Sequence, residues 1–168
     1  MEWILIGILI VIDQVTKSLI AANPAAWTNT EVIPGFFYIT YVKNTGAAWS
    51  MMAGKRTLLS LVAAAAILVM IYYMDKARRE HNRLTSAALA LMIAGAAGNL
   101  IDRLMLGYVR DFLNFYIFGY DFPVFNVADI CLCVGVGLLI LSTLFEKDED
   151  QDAVIPEVIE PKKDRTGV

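Results

Sequence analysis

Four apolar blocks, each long enough to cross a bilayer, dominate this chain and leave few folds open to it. Trp3 to Ile12 is wholly apolar, and the run continues past Asp13, Gln14 and Lys17 to Ala22. Thr57 to Met74 and Leu84 to Ile101 carry no charge, and from Val124 to Phe145 the only charge is Asp129. At about 1.5 Å per helical residue, each block covers most of a hydrocarbon core of roughly 30 Å. With 58% hydrophobic and only 18% charged residues, the chain lacks the charge to clothe a soluble domain of its size. The expected fold class is therefore membrane all-α, with spans near 3–22, 57–74, 84–104 and 124–145. The first block is read as a span and not a signal peptide, because Glu2 is its only early charge and Asp13 and Lys17 interrupt its later part.

Residues 1–145 are expected to form one four-span domain, and 146–168 a disordered cytoplasmic tail, being charged and without apolar period. That tail holds much of the acid behind the formal charge of -3. No basic face favours nucleic acid. The link Asp75–Arg83 carries Lys76, Arg78, Arg79 and Arg83. This basic cluster puts the link and both termini in the cytoplasm, although Lys43, Lys55 and Arg56 in the first outer loop weaken the contrast. Phe36 to Val42, followed by Lys43-Asn44-Thr45-Gly46, predicts a small sheet or hairpin at the outer surface. Tyr108, Phe112, Phe115 and Tyr116 recur at helical spacing and predict a short interfacial helix. Cys131 and Cys133, two apart in an apolar run, would point to different helix faces, so neither a disulfide nor a metal pair is expected.

An ionisable group at membrane depth costs about 2.5–3.5 kcal/mol on insertion scales, so each one requires an account. Asp13 and Lys17, four apart, form a self-neutralising pair. Asn99, Asp102 and Arg103 share one helix face, where bracing between helices is the plain reading. Asp129 has no basic residue within 15 positions. Asn126 would cap the last helix with Asp129 at its third position, a role compatible with chemistry. Asp111 is readable as a surface acid beside Arg110.

His81, the one histidine, lies in the basic link, which excludes a Ser-His-Asp triad or a two-histidine zinc site. No phosphate-cradling glycine loop is present. A serine–lysine pair of Lys17 and Ser50 stays open, though Asp13 is placed to hold Lys17 as an ammonium. So does a non-enzymatic four-helix protein, such as a small transporter or assembly factor, with the buried charges as glue or an ion path. Paired carboxylates are the remaining chemistry: two of them sharing one proton provide a base for water and an acid for the scissile carbonyl.

Five blocks together resemble signal peptidase II, the lipoprotein signal peptidase of bacteria. They are Asp13-Gln14-Val15-Thr16-Lys17, Asn44-Thr45-Gly46-Ala47-Ala48-Trp49-Ser50, Gly95 through Arg103, Val109-Arg110-Asp111-Phe112 and Phe125-Asn126-Val127-Ala128-Asp129. Each is weak alone; in this order, over about residues 10 to 130, they are specific. The resemblance implies an aspartic endopeptidase with Asp111 and Asp129 as catalytic pair, a choice that spacing alone could not make over Asp102 or Asp121. It carries over Asp13, Lys17, Asn44, Gly46, Asn99, Asp102, Arg103 and Asn126 as substrate-binding or supporting residues, with no metal and no cofactor. The implied substrate is a diacylglyceryl-modified prolipoprotein cut just before its lipidated cysteine, and the implied inhibitor is globomycin. The implied setting is the bacterial cytoplasmic (inner) membrane, with membrane lipid as a partner, a monomer expected and the site near the extracytoplasmic face. Asn114 departs from the pattern, standing where a third acid is often found.

Overall fold

The structure, a computed structural model, describes residues 1–46 and 54–152, with side chains to Phe145. Trp49 and Ser50, and residues 153–168 of the expected tail, lie outside the described residues. Four long helices are present: α1 (Glu2–Ala22), α2 (Arg56–Arg79), α3 (Arg83–Met105) and α4 (Val127–Asp152). All four are long and apolar enough to cross a membrane, α4 through Val127–Phe145. The last helix starts three residues later than the apolar run, because Asn126 caps it. It also runs on to Asp152, so the first part of the stretch expected to be disordered is helical.

Burial separates the helices. More than half of the α3 span is buried, against about a fifth of each of the others, so α3 is the post on which α1, α2 and α4 lean. Its composition explains this. Ala88, Ala90, Ala94, Gly95 and Gly98 are buried, and small residues let backbones approach closely where lipid supplies no hydrophobic drive for association. A Cβ on Gly95 would strike the backbone oxygen of Ala128 and lie 2.8 Å from Leu132 Cγ. Gly95→Ala is therefore expected to cost about 1–3 kcal/mol, as overpacking does in a filled core. Thermal unfolding in detergent measures the loss. Exposed Leu5, Ile8, Leu61, Leu68 and Ile140 face away from the bundle, an arrangement suited to lipid. Cys131 is buried and Cys133 exposed.

At one end of the bundle sits an antiparallel sheet in the order β1 (Thr30–Ile33), β2 (Phe37–Asn44), β3 (Val109–Ile117), β4 (Tyr120–Asp121). The interfacial helix expected around residues 108–122 is thus corrected to a strand and turn. The aromatic spacing is helical by coincidence. Val109, Phe112, Phe115, Tyr116 and Ile117 all favour strands, and β2 offers an open edge for pairing. Gly107 and Gly119, at φ of 86° and 81°, form the turns at either end.

The β2–β3 register runs from Asn44↔Val109 through Val42↔Asp111, then shifts before Ile39↔Leu113. Thr40 and Tyr41 thus oppose Phe112 alone, a β-bulge that re-aims the strand. Beyond β4 the chain returns alongside β3. Phe125 N–H donates to Leu113 O at 3.0 Å, and Phe125 O accepts from Leu113 N–H at 2.8 Å and Phe112 N–H at 3.0 Å. This bridge sets the start of α4 beside Asp111.

Candidate active site

Successive residues of a strand point to opposite faces, and β3 uses this to serve two polar layers. Arg110 turns toward α1 and α3. Its guanidinium donates to Asp102 Oδ1 at 2.7 Å and Oδ2 at 3.1 Å, and its N–H donates to Asp102 Oδ2 at 2.9 Å. Asp111, next in the chain, turns the other way and is buried. The reading of Asp111 as a surface acid beside Arg110 is therefore corrected: the two share neither a face nor a bond.

Asp111 Oδ2 accepts from Asn44 Nδ2 at 2.9 Å, and its Oδ1 accepts from Asn126 Nδ2 at 2.6 Å. Asn126 also closes a reciprocal cap on α4. Its Oδ1 accepts from Asp129 N–H at 3.1 Å, while its own N–H donates to Asp129 Oδ2 at 3.1 Å. This is the capping box expected from the sequence, with an acid at the third position. Asp129 Oδ1 accepts from Asn99 Nδ2 at 2.8 Å, and Asn126 Nδ2 reaches Asn99 Oδ1 at 3.2 Å. Asn126 thus bonds to both aspartates.

Burial pushes the Asp111 carboxyl up to about 6, against opposition from its hydrogen bond with Asn44, and the nearby charge of Asp129 pushes the same way. On the other face, the hydrogen bonds to Asp102 hold Arg110 above its usual range.

The remaining singled-out residues divide into two groups. Asn44, Asn99 and Arg103 line the same cavity of about 650 Å³ as Asp111 and Asp129. Arg103 donates to Gly46 O at 3.0 Å, and Gly46 N–H donates to Asn44 Oδ1 at 2.9 Å. Arg103 therefore braces the loop carrying Asn44; it does not pair with its neighbour Asp102. Asp13, Lys17 and Asp102 form a buried ionic layer behind the site. Lys17 Nζ lies 2.9 Å from Asp13 and 3.8 Å from Asp102, so the expected Asp13–Lys17 pair is formed. Asn114 is buried on the opposite face of β3 from Asp111 and donates to Asn29 Oδ1 at 3.2 Å.

Two members of the ionic layer escaped sequence reasoning. Gln14 Nε2 donates to Asp102 Oδ1 at 3.2 Å and Gly98 O at 3.1 Å, and its Oε1 accepts from Arg110 at 3.0 Å. Reading 109–117 as a strand would have separated Arg110 from Asp111. No local signal identifies Gln14.

The far end of the cavity is apolar, walled by Ala63, Ala96, Leu132 and Val134. A carboxylate pair with one raised pKa at the polar end and room for an apolar ligand at the other suits acid–base chemistry on an amphipathic substrate. Among the described residues no cluster of histidine, cysteine or carboxylate is arranged to hold a metal.

A family model described as signal peptidase (SPase) II matches residues 5–145. A lipoprotein signal peptidase of Symbiobacterium thermophilum is 50% identical over 132 residues, covering 79% of this chain and 86% of the relative. One from Staphylococcus aureus is 41% identical over 150 residues, covering 89% and 91%. Among solved structures, a bacterial membrane enzyme determined by the in meso method aligns with a TM-score of 0.81 at 36% identity, over 95% of this chain and 94% of that one. A second such enzyme aligns at 0.76 and 39% identity, over 85% and 92%.

Proposed function

Since the chain belongs to the signal peptidase II family, a family of membrane peptidases, we propose that it cleaves prolipoproteins with Asp111 and Asp129 as an aspartic pair. The observation that carries this reading is Asn126, which donates through one amide to Asp111 and caps the helix through Asp129. It joins two acids 18 positions apart in sequence at one end of one cavity.

One carboxyl of the pair holds a proton and the other is ionised, since like charges this close resist double ionisation. The ionised oxygen takes a proton from a water, whose oxygen attacks the scissile carbonyl carbon. The protonated carboxyl gives its proton to the carbonyl oxygen as the tetrahedral intermediate forms. On collapse, the C–N bond breaks and the amine nitrogen takes the proton drawn from water. The diol hydroxyl returns its proton to the pair. The products are a free amine and a peptide carboxylic acid, which then releases its remaining proton to solvent, and the pair regains its starting state.

The substrate of this reading is a precursor cut before a diacylglyceryl-modified cysteine. The lipid would hold the scissile bond at the membrane boundary, and the apolar cavity wall suits its glyceride end. Asn44, Asn99, Arg103, Gly46 and Asn126 act as supporting residues. Globomycin is the expected inhibitor. The proposal places the enzyme in the cytoplasmic membrane as a monomer, with both termini inside, the site at the outer face and residues 1–145 as one domain. The test is a gel-shift assay of a lipidated precursor with purified protein, with and without globomycin. Globomycin-sensitive conversion supports the reading; an uncut precursor would remove it.

A pH dependence follows. Asp111, with its carboxyl up at about 6, holds a proton below that pH and loses it above, so kcat/KM should fall as pH rises through the basic limb. Asn44 donates to the ionised form and lowers this pKa. Asn44→Ala should therefore shift the basic limb to higher pH while reducing the maximum. A limb that stays put or moves down would contradict the role given to Asp111.

A further inference from the structure

Behind the carboxylates lies a buried layer that the mechanism above does not use. Lys17 is completely buried. Its ammonium approaches Asp13 Oδ2 at 2.9 Å, Asn99 Oδ1 at 2.9 Å and Asp102 Oδ2 at 3.8 Å. An ammonium donates and never accepts. The oxygen of the Asn99 amide must therefore face Lys17, and its NH2 must face away, where it donates to Asp129 Oδ1 at 2.8 Å.

A side-chain amide has two orientations, and its partners decide between them. Turned over, Asn99 would set its NH2 against the ammonium and its oxygen against the Asp129 carboxylate. It would also face the NH2 of Asn126 with its own. Asn126 is fixed in the same sense, accepting from Asp129 N–H and donating to Asp111.

We propose that Lys17 is a positioning residue that sets the direction of this amide relay, keeping Asn99, and with it Asn126, aimed as donors at Asp129 and Asp111. The proposal rests on the peptidase reading above. Lys17 does not line the cavity, so it acts through Asn99 and not on substrate. Asp13 completes the device: its Oδ1 accepts from Ala128 N–H at 2.9 Å, fixing the residue before Asp129. Gly98 makes room for it, since a Cβ there would lie 2.5 Å from Asp13 Oδ2. If Lys17 were only an ionic brace between α1 and α3, activity would follow the fold and not the donor facing Asn99.

That difference is measurable. The double variant Asp13→Asn, Lys17→Met removes the pair without stranding a carboxylate, and the asparagine keeps an oxygen for Ala128 N–H. Its kcat on a lipidated precursor should fall on the order of 10²-fold, the scale of a misaimed catalytic group, with KM unchanged. The charges around Lys17 are Asp13 from α1, Asp102 and Arg103 from α3, Arg110 and Asp111 from β3, and Asp129 from α4. Because the Lys17 charge favours ionised Asp111, the basic limb should also move to higher pH.

The variant Asp13→Asn, Lys17→Gln restores a neutral donor toward Asn99 and should recover part of the lost kcat. In the native Lys17 background, Asn99→Asp keeps the acceptor for Lys17 and removes the donor to Asp129, so it should lose kcat without losing the fold. Wild-type kcat and pH profile in the folded methionine variant would overturn the proposal. So would equal losses with methionine and glutamine, or full activity in Asn99→Asp. Failure of the peptidase reading is a separate result, namely a wild-type chain that leaves the precursor uncut.

Discussion

Asp111→Asn and Asp129→Asn are each expected to reduce cleavage of a lipidated precursor on the order of 10⁴-fold or more, the scale seen when one member of a cooperating catalytic set is removed. The substitution preserves volume and leaves an amide that cannot take a proton from water. At Asp111 it should leave the fold intact or strengthen it at neutral pH. The folded-state carboxyl sits at about 6, above the ordinary aspartate value of 3.8. The stability its protonated form contributes is complete below the unfolded pKa and is lost as pH rises through the folded one. Above that window the buried carboxylate opposes folding, and asparagine removes the opposition. The signature is an inactive protein whose Tm at pH 8 equals or exceeds that of the wild type, measured in the same detergent. Activity retained in either variant would end the assignment of that residue.

The second large effect is on stability. Asp102 is fully buried and accepts from Arg110 at three points and from Gln14, with Lys17 at 3.8 Å. Asp102→Ala deletes the acceptor, leaving the half-buried Arg110 guanidinium without a carboxylate and the buried Lys17 with Asp13 alone. Breaking a buried ionic group by removing one partner costs about 3–5 kcal/mol, a large part of the stability of a domain this size. The expected outcome is poor recovery of folded protein and a strongly lowered Tm, with catalysis lost as a consequence. Asp102→Asn, which keeps one acceptor oxygen, should fall between. A normal Tm for Asp102→Ala would mean that Arg110 is not anchored as described.

The four spans were legible because hydrocarbon imposes a length and a composition that few other folds mimic. The cap formed by Asn126 and Asp129 was legible for a similar reason, being set by local spacing. The resemblance supplied Asp111, and the structure supplied the strand over 109–117 whose alternation points Asp111 away from Arg110. The aromatic run at 108–116 misled because recurrence at three and four residues also arises in a strand rich in large apolar side chains. Its pairing with β2 is a contact between residues 65 to 78 positions apart, beyond any local window. The partners of Asp102 were hidden in the same way, since Gln14 and Arg110 reach it from different elements.

The strand that presents Arg110 to one layer and Asp111 to the other carries its own proofreading. Were β3 to slip by a single position against β2, every side chain would change face. The guanidinium would enter the cavity, and the carboxylate would be thrust among Asp13 and Asp102. The ionic layer would then set three acids against Lys17 alone and strip Asp102 of its guanidinium, so the misaligned sheet is disfavoured without help from its turns.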